Sequence, residues 1–464
     1  MPTPHHTRLR STAVAGAAAA VLGATAVGPA AAQPAAAPPR VERISQAPGG
    51  AQADGDSHLG GLSATGRYTV FTSDAANLVP GDTNGTSDVF VRDLLTGRTE
   101  RVSVADGGDQ ATGSSSGKAI SADGRYVAFA SDAADLAPGD ANGTYDVYVR
   151  DRVAGRTERI TVGDPAQPQT GGTDTPVISW DGRYVAFASG RGDLVPGDTN
   201  HVADVFVHDR RTGTTRRANV ADDGTQAESP ARHPALSADG GAVSFVSRDS
   251  LSPGGGTEDG GTEDGGTEDG DGTGAPLARA RTYPLYVHDL RTGRTRPASI
   301  GPDGATYGVL DGGLSPDGRY ALFSSYTSMV SGYAHPQVFV HDLRTGTTTL
   351  VSTARDGAPG AGDGQSYSPV MTADNRRVYF ASNAANLVAG DTNGAADVFR
   401  RDLWTGTVER VTLSPDGTQS PVESDGPAID ALGTSVLIAS ADGALLPGDT
   451  NQHQDVFLRR LPLF

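Results

Sequence analysis

Residues 121–131 read SADGRYVAFAS, and variants of this phrase return six more times: SATGRYTVFTS from Ser63, SWDGRYVAFAS from Ser179, SADGGAVSFVS from Ser237, SPDGRYALFSS from Ser315, TADNRRVYFAS from Thr372 and DALGTSVLIAS from Asp430. Successive starts lie 58, 58, 58, 78, 57 and 58 residues apart. A fixed period of this length marks a repeat architecture, in which each unit buries its apolar surface against its neighbours. The Asp-Gly pair supplies a tight turn, and the apolar run after it reads as a strand.

Outward from that phrase, one unit parses into four strands. A short strand a ends at the Ser, and the Asp-Gly turn follows. Strand b runs from Arg125 to Ser131, a long loop leads to strand c at Asp146–Asp151, and a Gly-containing turn leads to strand d at Thr157–Val162. Strand b lacks polar alternation, as Tyr126-Val-Ala-Phe-Ala shows, which suits a sheet covered on both faces. Such units are blades. The expected fold is an all-β, seven-bladed β-propeller with four antiparallel strands per blade.

The ends support closure. The last unit stops after its strand c, Asp455-Val-Phe-Leu, while Arg40-Val-Glu-Arg-Ile-Ser copies the strand d sequences Arg98-Thr-Glu-Arg-Val-Ser and Arg156-Thr-Glu-Arg-Ile-Thr. Ile44 precedes Ser63 by 19 residues, the interval between Val102 and Ser121. Val41–Ser45 is therefore expected to complete the last blade and remove an open edge.

Residues 1–32 read as a signal peptide: Arg8 and Arg10 precede an apolar stretch from Ser11 to Val27, and Ala30-Ala-Ala precedes Gln33. Residues 33–40 then form a short linker, 41–464 a single propeller domain, and 254–276, which contain (GGTED)3, a low-complexity acidic insert in the fourth blade. The expected location is secreted or periplasmic, without membrane insertion after signal removal. With no Cys the chain can form neither a disulfide nor a thiolate metal site. A net charge of −18 disfavours nucleic acid as a partner.

The S-x-D-G-R-Y phrase followed by an apolar strand resembles the TolB-like, WD-related propeller repeats of bacterial exported proteins, over nearly all of the chain after the signal. The resemblance implies the fold. It leaves function open, because related propellers serve as protein-binding platforms, enzyme scaffolds and substrate gates.

The b–c loops carry the sharpest motif. Five units place Asp, Asn and Asp at positions 1, 3 and 7: Asp82, Asn84 and Asp88; Asp140, Asn142 and Asp146; Asp198, Asn200 and Asp204; Asp391, Asn393 and Asp397; Asp449, Asn451 and Asp455. The fourth and fifth units lack it. Oxygen ligands at this spacing suit a hard cation, and the motif resembles the calcium loops of integrin-type propellers, so Ca2+ is the candidate cofactor. The other reading is structural: Asp and Asn form Asx turns, and the third Asp caps the start of strand c.

A second candidate place is the mouth of the central channel, where His58, Asp174, Arg232, His233, Asp311, Tyr367 and Asp425 are expected to converge. They read either as polar lining or as a catalytic metal site like that of some propeller polysaccharide lyases. His208, His288 and His341 take the place of Arg92 and Arg150 after strand c and are expected on a solvated edge. Trp180 and Trp404 fall in turns; they read as surface anchors or as closing packing, and closing packing is the expectation. The functional expectation is a monomeric, non-catalytic binding or scaffold protein for a protein or glycan ligand, with a carbohydrate-active lyase or hydrolase as the alternative.

Overall fold

The computed structural model describes residues 41–462 apart from 141, 164–171, 174–175, 252–282, 327–334, 355–363, 422, 425, 442–444 and 447. Those described belong to one compact unit, Pro38–Phe464. Residues 1–32 and 33–40, expected as signal and linker, and 254–276, expected as an acidic insert, all lie outside the described residues.

The repeated phrase builds both a turn and a contact between blades. Ser121 Oγ donates to the Asp123 carboxylate (2.7 Å) and accepts the Tyr126 amide (2.9 Å), while Asp123 accepts the Arg125 amide (2.9 Å). Gly124 takes φ 77°, which disfavours a side chain. It also lies against Tyr68 of the preceding blade, where an added Cβ would stand 2.1 Å from the ring. Gly is thus required at this position twice, by conformation and by contact. The Tyr68 ring carries Arg67 at 4.8 Å and Arg152 of the next blade at 4.6 Å.

Seven antiparallel four-stranded blades result, the fourth with one additional short strand, Gly308–Val309, paired to Tyr283–Pro284. Blade 2 has strands a Ser115–Ile120, b Tyr126–Ser131, c Asp146–Asp151 and d Arg156–Arg159. Strand c matches the expectation. Strand d begins and ends earlier, although the Ile160 amide still bonds to the Val147 carbonyl (2.8 Å). In blade 7, Val41–Arg43 pairs antiparallel with Asp455–Arg460, Val41 opposite Arg459 and Arg43 opposite Phe457. The N-terminal strand closes the ring.

The core lies between blades. Val70, Val89, Val91 and Val102 of blade 1 pack with Ile120, Val127, Phe129 and Tyr148 of blade 2. Ile44, Leu437, Val456 and Leu458 of blade 7 pack likewise with Phe71, Leu78 and Phe90 of blade 1. In six blades an aromatic pair links strands b and c, with ring centroids 5.5–6.0 Å apart. Because each cluster spans two blades, burial stabilises a blade only in company.

Backbone hydrogen bonds between the a–b turns also encircle the axis. Thr65 donates to Ala122, Ala122 to Trp180, Trp180 to Ala238, Ala238 to Pro316, Ala373 to Ala431 and Ala431 to Ala64, at 2.7–3.4 Å. Pro316 has no N–H to pass on. Between blades 5 and 6, side chains stand in: Asp317 accepts from Asn375 Nδ2 and Asp311 from the Ser368 amide, both at 2.6 Å.

His208, His288 and His341 are buried, not on a solvated edge. Each Nδ1 meets a threonine hydroxyl, Thr215 at 2.9 Å and Thr295 and Thr348 at 2.8 Å. Burial lowers their proton affinity, so they pack as neutral rings. Strand c is covered on both faces up to its last residues, so a position near its end is not an edge. Trp180 is partly buried and joins the turn ring. Trp404 is 75% exposed, with Arg376 at 4.9 Å from its ring, and so does not close packing.

Candidate functional site

In the five Asp-x-Asn loops the first and third acids lie around a group that the motif itself omits. In each, an arginine from strand d of the same blade lies between the first and third acids. Arg101 is 3.2 Å from Asp82 and 3.3 Å from Asp88, and Arg217 is 3.1 Å from both Asp198 and Asp204. Arg159 reaches Asp140 (3.7 Å) and Asp146 (2.7 Å), and Arg410 reaches Asp391 (3.2 Å) and Asp397 (3.4 Å). Arg43, on the closing strand, reaches Asp449 (2.8 Å) and Asp455 (3.2 Å).

The third acid is buried at the start of strand c. Its Oδ1 accepts a hydrogen bond from the residue two past the arginine: Ser45, Ser103, Thr161, Asn219 or Thr412. The central asparagine turns Nδ2 towards the same carboxylate at 2.9–3.2 Å. Its Oδ1 accepts the amide two residues on, at 3.1–3.3 Å, closing an Asx turn. Burial, the largest influence, pushes the carboxyls of Asp88, Asp204, Asp397 and Asp455 above their ordinary range despite the nearby arginine.

Calcium takes six to eight oxygens. Here the asparagine offers an N–H and the two carboxylates already share a guanidinium, so with the arginine in place the donor set does not fit that ion. The loops also reach the next blade. Asn84, Asn200, Asn393 and Asn451 donate to the carbonyls of Ala111, Ala227, Ser420 and Ala53 in the following d–a connection. Gln110 donates to Asp82 (2.8 Å) and Asp88 (3.1 Å), and Gln52 bonds to Gly448 across the joined ends of the chain.

Blades 4 and 5 lack both halves. The strand c position of Asp88 is Pro284 or Gln337, and the strand d position of Arg101 is Pro297 or Leu350. Acid and arginine are thus kept together in five blades and lost together in two. The arginines stand in the strand d phrase, and nothing in the loop spacing ties them, or Gln52 and Gln110, to the acids. Reading which residues disappear together would have linked arginine to loop.

The strands a are innermost and touch around the axis. A Cβ on Gly61 would stand 2.2 Å from the Lys118 carbonyl oxygen. Among the named channel residues, His58, Arg232 and His233 are exposed on these strands and Tyr367 is half-buried. Asp311 is spent on structure: one carboxylate oxygen accepts from Ser324 and the other from Ser368. Asp174 and Asp425 lie outside the described residues. Among those described, no three His, Asp or Glu side chains gather as a metal centre. No helix among them is long and apolar enough to cross a membrane.

No family model matches the chain, and no curated protein does. Solved structures are similar in fold. An oligogalacturonate lyase in complex with manganese shares 13% identity over 92% of this chain and 97% of its own, with TM-score 0.51. An oligogalacturonate lyase from Vibrio parahaemolyticus shares 12% over the same fractions, with TM-score 0.50. A putative TolB from Agrobacterium tumefaciens shares 14% over 86% of this chain and 99% of its own, with TM-score 0.40. At such identities the likeness is one of fold alone.

Proposed function

We propose that the chain is an exported, non-catalytic β-propeller that binds a macromolecular partner on its b–c face, in the sector of blades 4 and 5. The observation carrying this reading is the division of the ring. Five blades spend one arginine and two acids of that face on holding themselves together, and two lack all three. A surface whose charges satisfy one another has little left to offer a partner, whereas a sector freed of that duty can vary its side chains on a rigid frame. The reading holds no metal in the loops, because the guanidinium supplies the positive charge.

A photo-crosslinking side chain at Arg248 or His335, which flank this sector, should capture one protein or glycan from the producing cell's envelope or medium. The same group at Thr86 or Thr392 in locked loops should capture it at least about tenfold less, the ratio a specific contact gives. Equal capture from all four positions, or none from Arg248 and His335, would refute the proposal.

A further inference from the structure

We propose that the face formed by the a–b and c–d turns rests on a lipid surface, with apolar turn tips in the headgroup layer and arginine tips on lipid phosphates. It lies opposite the b–c loops, so this contact and the partner of blades 4 and 5 are independent.

In every blade a backbone hydrogen bond staples the c–d turn to the a–b turn, from Leu94 to Arg67 in blade 1 through to Leu461 to Thr434 in blade 7, at 2.7–3.0 Å. The residue after each donor is therefore the same turn tip in all seven blades. Around the ring it reads Leu95, Val153, Arg211, Arg291, Arg344, Trp404 and Pro462, and all are exposed. Blades 6, 7, 1 and 2 thus form an apolar arc, and blades 3, 4 and 5 an arginine arc. Leu95 and Val153 are 76% exposed, and Leu432, which takes the place of the turn aspartate in blade 7, is 51% exposed. Every a–b and c–d turn falls within the described residues.

The charge of this face differs from that of the chain. Ser63–Arg67 and Asp93–Arg98 in blade 1, with the equivalent turn segments of the other blades, hold 14 arginines and 12 aspartates, whereas the whole chain carries −18. Asp93, Asp151, Asp209 and Asp342 each hold the arginine of their a–b turn, at 2.5–2.8 Å. Arg291 stands 3.5 Å from Asp239 with both side chains exposed, and Arg211 and Arg344 make no ion pair among the described residues. An anionic surface is repelled by the rest of the molecule but not by this face.

The spacing of the tips selects the partner. One apolar tip per blade, with polar turn surface between, gives a protein no continuous patch to pack against, whereas a lipid surface meets all tips of a ring at one level. Tryptophan and leucine settle in the headgroup layer, and a guanidinium fork grips phosphate. The chain also joins the ring here, where Val41 pairs with Arg459. The apolar stretch from Ser11 to Val27, of the kind that takes an exported chain to a membrane, is therefore attached on this side. The contact is one of turn tips alone, with no strand entering the hydrocarbon.

The test is flotation of the chain lacking residues 1–32, which keeps every described residue, with phosphatidylcholine vesicles and with vesicles containing about 30 mol% phosphatidylglycerol. The protein should float with the second, and less with the first. Leu95→Ser with Trp404→Ser should lower flotation at least about fivefold, with the melting temperature unchanged because both side chains are exposed. Arg211→Gln with Arg344→Gln should remove the gain given by phosphatidylglycerol. Val162→Ser, at an exposed apolar residue of a d–a connection on the opposite face, should change nothing. In a Trp180→Phe background Trp404 is the sole tryptophan, and its emission should shift to the blue on vesicles. No flotation with either vesicle, no blue shift, or an equal loss from Val162→Ser overturns the proposal. So does sedimentation as a dimer that the Leu95 and Trp404 substitutions dissolve, which would assign the face to a second copy.

Discussion

Arg101 is held by two buried carboxylates, and its removal alone leaves both without a counter-charge. Breaking a buried pair from one side costs about 3–5 kcal/mol. Arg101→Leu is therefore expected to lower unfolding free energy by about that much in urea denaturation. Blade 5 supplies the neutral alternative, with Gln337 bonded to Ser352 (2.7 Å) and Leu350 in the arginine's place. Adding Asp82→Asn and Asp88→Gln to Arg101→Leu should recover more than half of the loss; additive losses would contradict the lock. Gly124→Ala meets both positive φ and the Tyr68 ring, and a loss of about 1–3 kcal/mol is expected.

The blades differ in how they hold their neighbours, and this sets where the ring parts. The joined termini are not its weakest seam. There the closing strand pairs along Val41–Arg43, Ser45 donates to Asp455 at 2.5 Å, and Asn451 donates to Ala53. Between blades 5 and 6 the turn ring is interrupted at Pro316, and the arginine lock is missing from blade 5. Amide hydrogen exchange should open first at Ser368 and last around Ile44 and Val456. Pro316→Ala, which restores a donor, should slow exchange at Ser368. Faster exchange at Ile44 than at Ser368 would contradict this ranking. Strand and blade assignments were legible because the turn chemistry repeats: Ser121, Asp123 and Gly124 act locally, within one turn. What the loops hold was not legible from spacing, because Arg101 arrives from another strand and Gln110 from the next connection. The burial of His288 depended on the neighbouring blade.

At the scale of the whole ring, two sets of acids respond to pH in opposite directions. Hydrogen bonds from Arg67 and Arg183 hold the Asp93 and Asp209 carboxyls down at about 2, below the ordinary 3.8. Their stabilisation is full above the unfolded value and is lost as pH falls from about 4 towards 2. Asp88, Asp204, Asp397 and Asp455 are raised by burial, so they favour the fold most when protonated and oppose it as pH rises through their folded values. The melting temperature should therefore fall as pH drops from about 4 towards 2, and the four raised carboxyls, which the fold prefers protonated, should blunt that fall without reversing it. A profile flat from about pH 3 to 8 would contradict the assignment.

All five locks share one premise, that the chain's own arginine takes the place of a metal. Thermal unfolding of the protein lacking residues 1–32, in calcium and in chelator, tests it most directly, because an ion bound only by the folded state must raise the melting temperature. The arginine lock predicts midpoints within about 1 °C of each other; a rise of more than about 5 °C in calcium would contradict it.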